Sequence, residues 1–225
     1  LPVPVTIALL VVGAISIAAY IRYAYRNPHP IIDLRLLTIP TFRAGIYGGF
    51  FFRIAIGALP FILPMMLQLG FGLSPFQSGL LTFASAAGAM LMKATAGPVL
   101  RRFGFRRTLI ANAVISGAFV AVYGLFRPET PGWLILGLLL AGGFFRSLQF
   151  TGINTLTMSD VPQPRLSHAS SFSSIAQQLS LSVGVWIGAM VLHFTSWLSG
   201  SATPTAADFP PAFVLVGYIA MTSLF

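Results

Sequence analysis

Acidic side chains are nearly missing from this sequence: four Asp and Glu among 225 residues, beside 13 Lys and Arg and three His. Acids and histidines so few and so scattered offer no cluster to hold a metal ion. Cysteine is absent altogether, which excludes a disulfide framework, thiol chemistry and a cysteine metal site. Charged residues make up only 8% of the chain, hydrophobic residues 56%, and the mean hydropathy is +0.86. A soluble domain carries roughly 25% charged residues, so this chain cannot cover itself with a water-compatible surface. Nucleophile elbow, GxGxxG and HExxH patterns are lacking, and the lack of a Walker loop argues against a self-contained ATP-driven pump. No cofactor is expected. The formal charge of +9 would suggest nucleic acid for a soluble protein. Here the cations sit in short loops, with no basic stripe interleaved with aromatics, and nucleic acid is excluded as a partner.

What the sequence does have is length of apolar run. Such runs cover about 3–21, 42–68, 78–98, 108–126, 132–158 and 170–196, and another begins near 212. Only helices or closed barrels cross lipid, and runs this long without period-two alternation predict helices. The chain opens on Leu1-Pro-Val without the basic start of a signal peptide. It ends inside an apolar run, where Ala212 to Phe225 supplies 14 residues of the roughly 20 that a span needs. It therefore reads as a piece cut at both ends.

Positive charge sorts the connections. Arg22, Arg26, Arg35, Arg43, Arg101, Arg102, Arg106, Arg107 and Arg165 fall on alternate loops, while the opposite loops hold only Arg127. That asymmetry places the first set in the cytoplasm, with the lipid bilayer as solvent for the rest. The most basic turn is Gly97-Pro-Val-Leu-Arg-Arg-Phe-Gly-Phe-Arg-Arg107. Its glycines suit a tight helix-to-helix turn, and it serves either as a topology anchor or as a gating latch between helix ends.

Three cations lie within predicted spans: Arg53, Lys93 and Arg146. A charge at mid-membrane costs roughly 2.5–3.5 kcal/mol on biological insertion scales. Arg146 is the sharpest candidate, with Gln149, Asn154 and Thr157 within about 80° of it at 100° per residue and Phe150 on the same stripe. It either serves a substrate or coupling cavity or pairs structurally with a missing acid. Arg53 precedes Gly57, Pro60 and Pro64 on roughly one face, where a bendable half-helix suits transport and snorkelling is the plainer account. Snorkelling is the better account of Lys93. Gln178 is a further cavity candidate; Gln177 beside it cannot point the same way. Ser180, Gly184 and Gly188 form a small-residue ladder for helix packing. His193 reads as interfacial, and Glu129 and Asp208 as solvated in outer loops.

With these residues in place, the chain resembles the C-terminal half of a major facilitator superfamily transporter, of the drug:proton antiporter type with fourteen helices. The connector His29-Pro-Ile-Ile-Asp-Leu-Arg-Leu-Leu-Thr-Ile-Pro-Thr-Phe-Arg43 carries part of the likeness. So do the basic turn, the stretch Gly142 to Asn154, and Asp160-Val-Pro followed by Ala176-Gln-Gln-Leu-Ser-Leu-Ser-Val-Gly184. In the turn, Gly97, Arg102, Gly104, Arg106 and Arg107 match the family's gating-loop pattern, and Arg101 stands where its acid would be. The resemblance implies an all-α integral membrane fold, a C-terminal six-helix bundle plus one preceding linker helix. Residues 1–21 would be the linker transmembrane helix, 22–41 a cytoplasmic connector and 42–225 the bundle, its last helix truncated.

The implied function is secondary active transport without enzymatic chemistry: proton-coupled efflux of small lipophilic compounds by alternating access, from the bacterial plasma (inner) membrane. Arg53, Arg146, Gln149, Asn154 and Gln178 would line the cavity. The implied partners are a small-molecule substrate, protons and the missing N-terminal half, which would hold most of the coupling acids. The alternatives are a permease for an organic anion using Arg53 and Arg146, or an inactive fragment. A membrane enzyme or scaffold would need a His, Asp or Ser cluster at a membrane face, and none is visible.

Overall fold

The computed structural model describes residues 3–27, 30–200 and 204–223; His29, at the start of the likeness above, lies outside them. Among the described residues, seven α-helices follow one another: α1 (Val3–Arg26), α2 (Pro40–Met65), α3 (Pro75–Phe103), α4 (Phe105–Tyr123), α5 (Gly132–Met158), α6 (Leu166–Leu198) and α7 (Phe209–Met221). Five are long and apolar enough to cross a membrane, and α3 makes a sixth when its two segments, bent by 58° between Thr95 and Gly97, count as one span. Strand is absent among the described residues.

Several boundaries fall beyond the apolar runs. Helix α1 continues to Arg26 rather than ending near 21, because a helix need not stop where lipid does. The connector after it is folded. Asp33 caps a 3₁₀ turn over Leu34–Thr38 by accepting from the Arg35 N–H at 3.0 Å. The Ile32 N–H donates to the Tyr20 hydroxyl at 2.7 Å, and Nδ1 of His168 lies 3.1 Å from the Ile31 carbonyl. Leu36 is fully buried against Phe42, Ile46, Val161 and Ala169. The basic turn is barely a loop: α3 runs through Arg101 and Arg102, and Gly104 alone joins it to α4, with φ +75°. That backbone conformation needs glycine.

The bundle is assembled from three close helix pairs, α3 with α5, α2 with α6 and α4 with α7. Lipid is as apolar as leucine, so spanning helices gain little by hiding apolar side chains and associate through tight packing at small residues. Each pair crosses where glycine lets backbones touch. A methyl group on Gly184 would strike the Ile54 carbonyl of α2, and one on Gly57 the Leu181 carbonyl of α6. Gly88 and Gly143 meet Leu140 and Ser85 in the same way across α3 and α5. Gly117 and Gly217 abut each other's carbonyls between α4 and α7. The ladder of Ser180, Gly184 and Gly188 is buried against α2. Helix α1 stays outside this packing, its spanning window only 6% buried.

Asp208 corrects an expectation. It is 3% exposed rather than solvated, because Thr205 and Ser199 fold over it at the start of α7, outside the span. Burial would raise its carboxyl. The Thr205 N–H and the Ser199 and Thr205 hydroxyls donate to it at 2.7–2.9 Å, and the balance holds it below the usual carboxylate range.

Two outcomes follow. Gly184→Ala should lower the thermal midpoint in detergent by the equivalent of about 1–3 kcal/mol, whereas Gly137→Ala, with open space around it, should not lower it. Since the folded-state value of Asp208 is depressed, its contribution is present above the unfolded value of about 4 and fades as pH falls through the lower folded one. Corrected amide exchange at 204–212 should therefore stay slow from pH 7 to 5 and quicken only below about pH 4, and Asp208→Asn should exchange fast throughout.

Candidate functional site

Side chains on a helix lean toward its N-terminus. On the orientation that the basic loops imply, α2 starts at the cytoplasmic face and α5 at the outer one, so Arg53 would lean inward and Arg146 outward. Gly49, one turn before Arg53, leaves the space: a methyl group there would lie 2.8 Å from Nη1. The guanidinium is 1% exposed, donates from Nη2 to Oδ1 of Asn154 at 2.6 Å and sits 5.7 Å from the Phe150 ring centroid. Its Nε and Nη1 find no acceptor. An arginine so placed is a buried cation held by an amide and an aromatic face.

Arg146 occupies different ground. It is half-buried near the middle of α5 and donates from Nη2 to the Ser85 hydroxyl at 2.6 Å. The bond follows from the α3–α5 crossing, since Gly143, one turn earlier, lets the backbone of Ser85 approach. On the outward side the Tyr123 hydroxyl packs against Gly142. The guanidinium opens into a cleft of about 270 Å³ lined by Ile56, Leu59, Pro60, Leu63, Pro64, Thr82 and Ser85. Neither Arg53 nor Arg146 is bonded to a carboxylate.

The polar stripe expected on α5 divides among neighbours. Gln149 and Asn154 stand about 60° and 80° from Arg146 on opposite sides, and so about 140° apart. Gln149 is fully buried and accepts from Nδ2 of Asn112 on α4 at 3.0 Å. Asn154 turns to α2 and Arg53. Thr157 is buried where Gly45 of α2 passes. Gln178 is exposed on the side of α6 away from α2, and Gln177 is half-buried. The structure thus brings Arg53 and Asn154 together and leaves Arg146, Gln149 and Gln178 in three other surroundings.

In the basic turn, Arg101, Arg102, Arg106 and Arg107 are exposed, and Arg102 lies 5.7 Å from the Phe103 ring centroid. Gly97 and Arg101 border a groove against Thr151 and Thr155, beside the bend in α3. Lys93 and His193 are exposed. Sequence reasoning missed Ser85 and Thr82, the hydroxyl side of the cleft; their spacing of three puts them on one helix face, the one available signal. It also missed Asn112, whose signal is an amide within the 108–126 apolar run.

Lipid-crossing helices, one of them bent and another carrying two internal prolines before a π-helical turn over Met66–Gly70, with a cation near the middle of α5 open to a cleft, make a polytopic helical membrane protein. The chain belongs to the Major Facilitator Superfamily, whose family pattern matches residues 46–225. It is similar to "Putative multidrug resistance protein MdtD" of Pectobacterium atrosepticum, 36% identical over 189 residues, 84% of this chain and 41% of that protein. The protein of the same name from Salmonella paratyphi B is 39% identical over 186 residues, 80% of this chain and 38% of its own length. The chain thus spans about two-fifths of the length of these curated relatives. It is a multi-pass protein of the bacterial inner membrane.

The Arg53–Asn154 bond gives a direct test. Asn154→Leu leaves a buried guanidinium without its partner and should cost about 3–5 kcal/mol, read as a large drop in thermal midpoint in detergent. Asn154→Asp, which supplies a carboxylate at the same place, should hold or raise the midpoint. Equal effects of the two would show that the bond is immaterial.

Proposed function

We propose that this chain is the C-terminal half of a proton-coupled, multidrug-type exporter that works by alternating access. The observation that carries the reading is Arg146, a cation at mid-depth facing a cleft instead of an acid. A charge there is costly, and membrane proteins keep such groups chiefly where a pathway uses them. Residues 1–21 serve as the linker helix, 22–41 as the cytoplasmic connector and 42–225 as the bundle. The slight packing of α1 on the rest supports that division.

In this mechanism the missing N-terminal half closes over α2, α3 and α5 and supplies the acids that carry protons. Pro60 and Pro64 each remove a backbone N–H from α2, and the π-helical turn beyond them loosens its outer end. Such breaks allow a helix to bend, which suits a helix that must face inward and outward in turn. Arg53, locked to Asn154, steadies the inner half of α2 on α5. The turn at Gly97, Arg102, Gly104, Arg106 and Arg107 holds the cytoplasmic ends of α3 and α4 at one glycine, so the two move together. Gln178, on the open side of α6, is available to the second half.

The test uses the full-length transporter in proteoliposomes with an imposed pH gradient and an anionic lipophilic dye as cargo. Arg146→Ala should slow gradient-driven dye movement about tenfold or more, at normal expression and with a normal thermal midpoint. Unchanged transport in that variant would reject the role given to Arg146.

A further inference from the structure

We propose that the Arg146 cleft is a subsite for amphipathic anions, taking a sulfonate- or carboxylate-like head on the guanidinium and an apolar tail along α2. The inference rests on the transport reading above and names the chemistry of its cargo. Arg146 spends one Nη on a neutral hydroxyl, Ser85, and a guanidinium has five N–H donors in a fork that matches a two-oxygen acid head. The head would find the Thr82 hydroxyl on the same wall. Beyond it the lining is hydrocarbon: Ile56, Leu59, Leu63 and the rings of Pro60 and Pro64. Every residue that lines the cleft is neutral except Arg146.

Arg53 adds to the same field. It stands on the α2 face that carries Pro60 and Pro64, lies deeper toward the cytoplasm, and is neutralised by no carboxylate. An uncompensated cation in an apolar cleft repels a lipophilic cation and draws an anion, more strongly in this low-dielectric setting than in water, and Arg53, outside the lining, adds a weaker field of the same sign. Tail burial alone would not discriminate between them.

The experiment compares octanesulfonate with octyltrimethylammonium, which share a tail and carry permanent opposite charges, in proteoliposomes of the full-length transporter. Octanesulfonate should be exported, and Arg146→Gln should raise its KM roughly tenfold to a hundredfold while leaving octyltrimethylammonium unmoved or improved. Arg146→Lys should fall between the parent and Arg146→Gln for octanesulfonate, since the charge remains while the two-pronged donor is lost. Ser85→Asp places a carboxylate against Arg146 and keeps the arginine, so it decides the matter should Arg146→Gln fail to fold. It should abolish octanesulfonate transport at a normal thermal midpoint.

A parent protein that prefers octyltrimethylammonium overturns the proposal, as does an equal loss of both probes in Arg146→Gln. If neither probe moves while a lipophilic dye does, the anion subsite falls and the transport reading stands. If nothing moves, the transport reading falls. Equilibrium binding of octanesulfonate to the purified protein then decides the subsite by itself, saturable binding lost in Ser85→Asp supporting it and no binding rejecting it.

Discussion

Backbone contact at glycine is the constraint on which this bundle depends. Apolar side chains facing lipid contribute almost nothing to choosing one helix partner over another. The choice is made where two backbones can touch: Gly57 with Gly184, Gly88 with Gly143, and Gly117 with Gly217. These crossings fix positions to within a side chain's reach, and the polar contacts inherit that precision. Ser85 lies under Arg146 because Gly143 admits its backbone. Arg53 folds back along α2 because Gly49 presents no side chain in its path. The functional chemistry of the bundle is thus set by residues that carry no chemistry themselves.

Much of the fold was legible in the sequence because the bilayer imposes a length. Each apolar run had to be a helix. The exact ends were not legible, since Arg22 to Arg26 can continue a helix into water as easily as leave it. The bend in α3 carries a signal in Gly97-Pro98, but that pair fits the start of a basic loop as well as a kink inside a continuing helix. The crossing ladder on α6 showed as a repeat of small residues at every fourth position. The α3–α5 crossing did not, because Gly88 lies in a run of small residues, Ala84 to Ala89, that marks no single face and gains meaning only beside Gly143.

The candidate site was legible as a set of unusual residues and not as an arrangement. Arg53 and Arg146 stand out in any hydropathy scan because charge is so expensive in lipid. Helical wheels, however, place Gln149 and Asn154 both near Arg146 without saying that they flank it on opposite sides. A window of about 140° on α5 spans contacts to α2, α3 and α4 at once, and only the packing assigns each side chain to a neighbour. Asp208 makes the same point at the outer surface. An acid in a polar loop reads as solvated until Thr205 and Ser199 close over it.

The opposed lean of the two buried arginines bears on energetics of another kind. A guanidinium does not release its proton under any physiological condition, so both groups are fixed charges standing inside the electric field of an energised membrane. Moving one elementary charge through the full potential takes about 2.3 kcal/mol per 100 mV. Any rocking of the bundle that shifts Arg53 and Arg146 along the membrane normal therefore does electrical work. In the alternating-access mechanism proposed above, the balance between the inward- and outward-facing forms would be tied to voltage as well as to the chemical gradients on either side.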